Sequence, residues 1–304
     1  MTSLVTAEMA VRAASKLQRI LRAGNRMIVV SAMPKSGSTF LTKSIAAATG
    51  YRHSYLACAY GNVDQELYLP KIVDAYGRGT VTQQHFKANE HNLELLQYFG
   101  ITPVVLVRNI FDVLVSARDH LVHENLHNLP GIHVAAEFLE FDRKRQMDFV
   151  VDFIAPWHIG YFASWCRAEA NGFPFQWMSY EESVVDWPRA ISRVLEFYGV
   201  PRTLEMITRA VETLKKAPRE KTRINQGIVG RGLTHLSAAQ QDRVVQLTRY
   251  YNYDFSRIGI DRPVAAAAMM APMGMKPAPN ATLRAADVRV LTRFQLGGRM
   301  DACR

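Results

Sequence analysis

Two kinds of hydrophobic pattern alternate along the chain. Short unbroken runs, MIVVSAM at 27–33 and PVVLV at 103–107, are as apolar as strands covered on both faces. TVTQQH at 80–85 and FQWMS at 175–179 read as two further short strands. Between and after them, apolar residues recur at helical spacing over 38–49, 89–99, 110–123 (Ile110, Val113, Leu114, Leu121), 149–170, 188–199, 203–216 and 237–250. The 188–199 segment closes on Gly199 and Pro201, a helix stop. Strands alternating with helices predict an α/β fold, a single domain whose central parallel β-sheet is flanked by helices. Over 4–23, Val11, Ala14, Leu17 and Leu21 face away from basic residues, predicting an amphipathic N-terminal helix within residues 1–25. From 263 the composition shifts to PVAAAAMMAPMGMKPAPNA, which has no period. The expected division is therefore a main domain over 26–262 and an Ala/Met/Pro-rich extension over 263–304, partly flexible. The sequence contains no internal repeat.

The 304 residues are enough for one large core. A net charge of +10 and a pI near 9.6 favour anionic partners. Cys58, Cys166 and Cys303 are widely spaced and odd in number, with neither metal-ligand spacing nor a disulfide framework, which points to a reducing compartment, the cytoplasm. Arg12, Lys16, Arg19, Arg22 and Arg26 interrupt every apolar run near the start, so no signal peptide is expected. No run of about 18 apolar residues predicts a membrane-spanning helix. The basic N-terminal helix is suited to peripheral contact with an acidic membrane, although packing on its own domain is the commoner use of such a helix.

The candidate chemistry begins in IVVSAMPKSGSTFLTKSIAAATG, residues 28–50. A strand runs into a small-residue turn holding a lysine, and the turn runs into a helix. This is an arrangement that holds phosphate, yet it is not the Walker pattern, because Lys35 precedes Gly37. Gly37 permits a tight turn. Lys35, Ser36, Ser38 and Thr39 surround it with donors, and the helix from Ser38 directs free amides and a positive dipole end at the loop. Read without its surroundings, the same stretch could equally be a helix cap.

PKSGSTF resembles the 5′-phosphosulfate loop of the sulfotransferases that use 3′-phosphoadenosine 5′-phosphosulfate (PAPS), and four further motifs fall in that family's order. VVLVRNIFDVLVSARDH at 104–120 resembles the 3′-phosphate motif, with Arg108 and Ser116 eight residues apart. TVTQQHF resembles the strand carrying the catalytic histidine, here His85. FQWMSYEE resembles the strand ending in Tyr-Glu, whose Tyr180 would approach the adenine. NQGIVGRG at 225–232 resembles the late loop that closes over the 3′-phosphate. The resemblance implies a P-loop-like sulfotransferase fold with PAPS at the carboxyl ends of the strands. It also implies catalytic roles for Lys35, His85 and Ser116. Lys35, Ser36, Gly37, Ser38, Thr39, Phe40, Arg108, Ser116, Tyr180, Arg231 and Gly232 would bind the cofactor. Three features depart from the pattern. The late loop begins Asn225-Gln226-Gly227 rather than Arg-Lys-Gly, so its charge would come from Arg223 or Arg231. Phe40 stands where tryptophan is usual. The family's C-terminal dimerisation pattern is not evident, so no oligomeric state follows.

Sulfuryl transfer resembles phosphoryl transfer in being an in-line displacement governed by positioning and charge. The acceptor hydroxyl or amine loses a proton as it attacks sulfur, which suits a neutral imidazole and hence His85. Charge grows on the leaving phosphate, where Lys35 and the amides of Gly37–Thr39 would meet it. Arg108 and Ser116 would hold the 3′-phosphate that distinguishes PAPS from ATP. The reaction calls for no metal. The acceptor stays open among small molecules, carbohydrates, lipids and peptides. The aromatic residues of 149–180 could line an apolar pocket or equally form a helical core.

HENLHNLPGIH at 123–133 offers a rival. On a helix His123 and His127 would share a face and could bind zinc, with Glu124 as base and His133 as third ligand, as in metzincin proteases. That pattern requires glycine where Pro130 stands; Gly131 comes one position late. A nucleotide kinase would want a Walker lysine after the glycine and a magnesium carboxylate. No nucleic-acid-binding motif accompanies the basic charge, so no nucleic-acid partner is expected.

Overall fold

The computed structural model describes residues 26–58, 65–123, 129, 132–218 and 228–261, together with Arg12 and Ser15. The chain divides into two compact units, Asn25–Pro272 and a second one formed by Met1–Gly24 with Met273–Arg304. Of the second unit only Arg12 and Ser15 are described, and both are helical. The rest of the expected N-terminal helix and the 263–304 extension lie outside the described residues.

The larger unit runs β1 (Met27–Ala32), α1 (Ser38–Thr49), β2 (Arg52–Ser54), α2 (Leu69–Ala75), β3 (Thr80–Gln84), α3 (Glu90–Tyr98), β4 (Val104–Val107) and α4 (Ile110–His123). A 3₁₀ turn at Ala136–Glu140 leads to α5 (Arg143–Phe149), a π-helical turn at Val150–Ile154 and α6 (Ala155–Ala170). Then follow β5 (Gln176–Ser179), α7 (Tyr180–Val185), α8 (Trp187–Phe197), α9 (Leu204–Lys215), α10 (Arg231–His235) and α11 (Ala238–Leu247).

The five strands form one parallel sheet in the order β2-β3-β1-β4-β5. Ile28, Val30 and Ala32 of β1, Val81, Val104, Leu106 and Met178 build one face, onto which α1, α8 and α9 pack. The other face carries α6, whose buried Tyr161 bonds Ser31 of β1 at 3.0 Å. With both faces covered, continuous apolar strands are the physical requirement, and β1 and β4 are buried throughout.

The strands and helices expected from the pattern are present, with shifts of a residue or two at their ends. Five elements escaped it. β2 is the polar tripeptide Arg-His-Ser at the sheet edge. The helices α2, α5, α7 and α10 have only five to seven residues, too few to show a period. The single helix expected over 149–170 is interrupted near its start, because Pro156 has no N–H to give the preceding turn, and the ladder widens to a π turn before it.

Because β1 lies between β3 and β4, connections leave it toward both sides. This is the switch point at which α/β sheets open a crevice beyond their carboxyl ends. No described helix is long and apolar enough to cross a membrane.

Candidate active site

The crevice floor is the turn after β1. Met33 N–H donates to the Leu106 carbonyl (2.8 Å), continuing the β1–β4 pairing, and both the amide and hydroxyl of Ser36 return to the Met33 carbonyl (3.2 and 2.5 Å). The chain then reverses through left-handed conformations at Lys35 (φ 66°) and Gly37 (φ 81°). Among the described residues Lys35 is the only non-glycine with positive φ, a conformation costing about 1–2 kcal/mol. Gly37 is doubly constrained, since a Cβ there would sit 2.8 Å from the Tyr180 ring. It also caps α1 with no side-chain acceptor for the first-turn amides, so this helix end is open to an anion.

His85 follows β3 and, by register, stands beside the end of β1. It is 8% exposed. Its Nδ1 lies 2.8 Å from the Ala32 carbonyl, and since a carbonyl only accepts, Nδ1 carries the proton and Nε2 is the basic nitrogen. Gln83 Nε2 lies 3.4 Å from that nitrogen, and the Gln83 side-chain oxygen accepts from the Thr39 hydroxyl at 3.1 Å.

Arg108 follows β4 and is also 8% exposed. It donates to the carbonyls of Lys35 (3.1 Å) and Ile228 (3.3 Å), approaches Asp112 at 3.7 Å and lies over the Tyr180 ring at 4.2 Å. Its Nε is buried with no hydrogen-bonding partner among the described residues. The guanidinium thus joins the phosphate-type loop to the late loop. Asp112 fastens that late loop to α4, accepting from Gly230 N–H (2.8 Å) and Gly232 N–H (2.6 Å). A Cβ at Gly232 would meet the Phe111 backbone at 2.3 Å, so only glycine lets the two segments approach. Arg231 points along α4 to Asp119, 3.0 Å away. Ser116 is buried one turn beyond Asp112 on that helix. The start of the late loop, including Arg223 and Asn225–Gly227, lies outside the described residues.

Of the aromatics, Tyr180 follows β5 with its hydroxyl pKa raised, first by burial. Phe40 is 2% exposed and packs edge-on against Trp187, 5.1 Å between centroids. Trp187 touches both rings and lies 3.7 Å from where a Gly37 Cβ would stand, which makes it the aromatic centre beside the turn. The sequence pattern passed over it.

Of the four rival residues only His123 and His133 are described. His123 ends α4, His133 is exposed in the chain before the 3₁₀ turn, and Glu124 and His127 lie outside the described residues. No described group of three or more His, Cys, Asp or Glu is arranged to hold a metal.

A histidine that the motifs did not flag lies beneath the loop. His158 of α6 is 2% exposed, with Nδ1 2.9 Å from the Ile154 carbonyl and the ring beside the Pro34 carbonyl. Among the described residues its Nε2 reaches no partner at hydrogen-bonding geometry. Burial holds its pKa near 4; the two carbonyls pull the other way, and Lys87 adds to the lowering. Below pH 6.5 the unfolded chain takes up a proton that the folded ring refuses until about pH 4. Stability should therefore fall as pH drops across that window, by on the order of 3 kcal/mol in total. Urea unfolding at several pH values should show a flatter acid limb for His158→Gln than for the parent. Equal limbs would exclude this ring as the source.

The sequence matches no protein-family model and no curated protein. Solved structures do match. A mouse sulfotransferase crystallised with PAP superposes with a TM-score of 0.54 at 15% identity, covering 76% of this chain and 87% of that one. A retinol dehydratase in complex with androsterone and the inactive cofactor PAP gives a TM-score of 0.52 at 15% identity, covering 82% and 87%. At such identity the similarity is one of architecture: this chain has the sulfotransferase fold.

Proposed function

We propose that this protein transfers the sulfuryl group of PAPS to the hydroxyl or amine of an acceptor, releasing PAP. The observation that carries the reading is the convergence, by parallel register, of Lys35, His85 and Arg108 around the open amino end of α1. The fold shared with two proteins crystallised with PAP supports it.

In this reading the 5′-phosphosulfate lies on the amides and hydroxyls of Ser36–Thr39, with Lys35 meeting the charge that grows on the leaving phosphate. His85 Nε2 takes the acceptor's proton. Arg108, with Ser116 behind it, holds the 3′-phosphate, for which its unpartnered Nε is suited. Tyr180 and Trp187 flank the adenine, and Phe40 supports Trp187 from below. Gly232 and Arg231 act by fastening the late loop to α4, because their polar groups are already engaged by Asp112 and Asp119. The acceptor is a small molecule, carbohydrate or lipid. The androsterone bound by one structural neighbour favours the small apolar class. Cys58 and Cys166 are free thiols, in keeping with work in the cytoplasm.

Nucleotide selectivity tests the reading. PAP near 100 times its dissociation constant should add about 2.7 kcal/mol of stability. ADP, lacking the 3′-phosphate, should raise the melting temperature far less at the same concentration. Equal stabilisation by both would favour a kinase instead.

A further inference from the structure

The most unusual polar contact in the site is a chain of side chains linking the phosphate-type loop to the candidate base. Thr39 O–H donates to Gln83 Oε1 at 3.1 Å, Gln83 Nε2 lies 3.4 Å from His85 Nε2, and His85 Nδ1–H donates to Ala32 O at 2.8 Å. The orientation follows from the two ends. The Thr39 hydroxyl takes the amide's oxygen, so the amide's N–H side faces His85. The Ala32 carbonyl takes the Nδ1 proton, so the nitrogen facing Gln83 is the one with the lone pair. Gln83 and His85 are both buried, 5% and 8% exposed.

The geometry points to Gln83 as a coupling device: with no anion bound it caps the basic nitrogen of His85, and an anion in the loop removes the cap by drawing away Thr39. This rests on the sulfuryl-transfer reading. Thr39 sits in the first turn of α1, where the helix end is open. A phosphate oxygen accepts a charge-assisted hydrogen bond about twice as strong as a neutral amide oxygen does. Once Thr39 turns to the anion, the Gln83 oxygen loses its partner and the amide is free to rotate. The link that must then break is the longest of the three, at the weak end of hydrogen bonding. His85 is thereby a competent base only when the donor is in place, and acceptor deprotonation is confined to the ternary complex. Gln83 is a positioning residue, acting through His85 and Thr39.

The test is ¹⁵N NMR of histidine-labelled protein well above pH 6.5, where the rings are neutral, with His85 assigned from its loss in His85→Asn. PAP binding is followed in parallel by calorimetry. Saturating PAP should move the His85 Nε2 resonance in the parent protein. Gln83→Leu and Thr39→Val should both start near the PAP-saturated position and move no further. PAP should also bind Gln83→Leu about fivefold more tightly, since no cap has to be broken, the equivalent of one net hydrogen bond of about 1 kcal/mol. Should Gln83→Leu fail to fold by circular dichroism, the resonance of Thr39→Val decides alone. A resonance that moves equally in the variants reports the field of the nucleotide itself and overturns the coupling. One that stays fixed in the parent while calorimetry records PAP binding overturns the coupling and leaves the nucleotide reading intact. Absence of PAP binding removes both.

Discussion

Replacing His85 with alanine should lower turnover on the order of 10²–10⁴-fold, the usual worth of a general base, while PAP binds at least as tightly as before. The separation follows from where the ring is held. Its Nδ1 is anchored to the Ala32 carbonyl and its Nε2 lies 3.4 Å from Gln83, so the proposed reading asks neither ring nitrogen to hold the nucleotide. The loss should appear in kcat with the true acceptor, and calorimetry with PAP should show no weakening of binding; with no cap on His85 to break, the dissociation constant should fall by up to about fivefold. Near-normal turnover in His85→Ala would exclude it as the base and turn attention to His120, buried on α4.

Lys35→Ala should also cost on the order of 10²–10³-fold in turnover, the scale on which a lost transition-state charge contact is felt. Unlike the histidine variant, it should weaken PAP binding as well, because the same ammonium would meet the 5′-phosphate in the ground state. Alanine keeps the left-handed strain at this position, φ 66°, so the fold is challenged no more than in the parent. Lys35→Gly is the companion variant. It relieves the strain and should melt higher than Lys35→Ala, yet be equally inactive. Activity recovered in the glycine variant would mean that loop geometry, rather than the ammonium, had been lost.

How much of this was legible beforehand differs by kind of interaction. Strands β1 and β4 declare themselves because a parallel sheet buried on both faces needs unbroken apolar runs, and the turn after β1 declares itself through its own residues. Lys35, His85 and Arg108 were singled out by the motif resemblance, and the sheet register brings them to one rim. The partners of these residues were not legible. Gln83 reads as one more polar residue in TVTQQH; its meaning comes from Thr39, 44 positions earlier, and from which way its amide faces. Asp112 gives no hint that it holds Gly230 and Gly232, 118 and 120 positions later. Trp187 follows a helix cap like many tryptophans, and only packing against Phe40, Tyr180 and Gly37 puts it beside the turn. Motif spacing reports what backbone geometry requires locally, whereas these pairings are set by how distant segments meet. Phe40 illustrates the difference: the motif places it beside the turn, and the edge-on packing of its buried ring against Trp187 is set by a distant segment.

The all-parallel sheet also bears on biosynthesis. No strand can pair with a neighbour through a tight hairpin, so every pairing waits on a crossover, and contacts of this kind form slowly. During translation the central strand β1 emerges before its partner β4 and the arginine that follows it, which come some seventy residues later, and before Ile228 and Gly232, later still. A nascent chain therefore exposes apolar β1 well before any complete ligand cradle exists. Nucleotide could not template the early steps and could favour only the finished domain, by mass action. Until then the exposed strand is a natural client for chaperones.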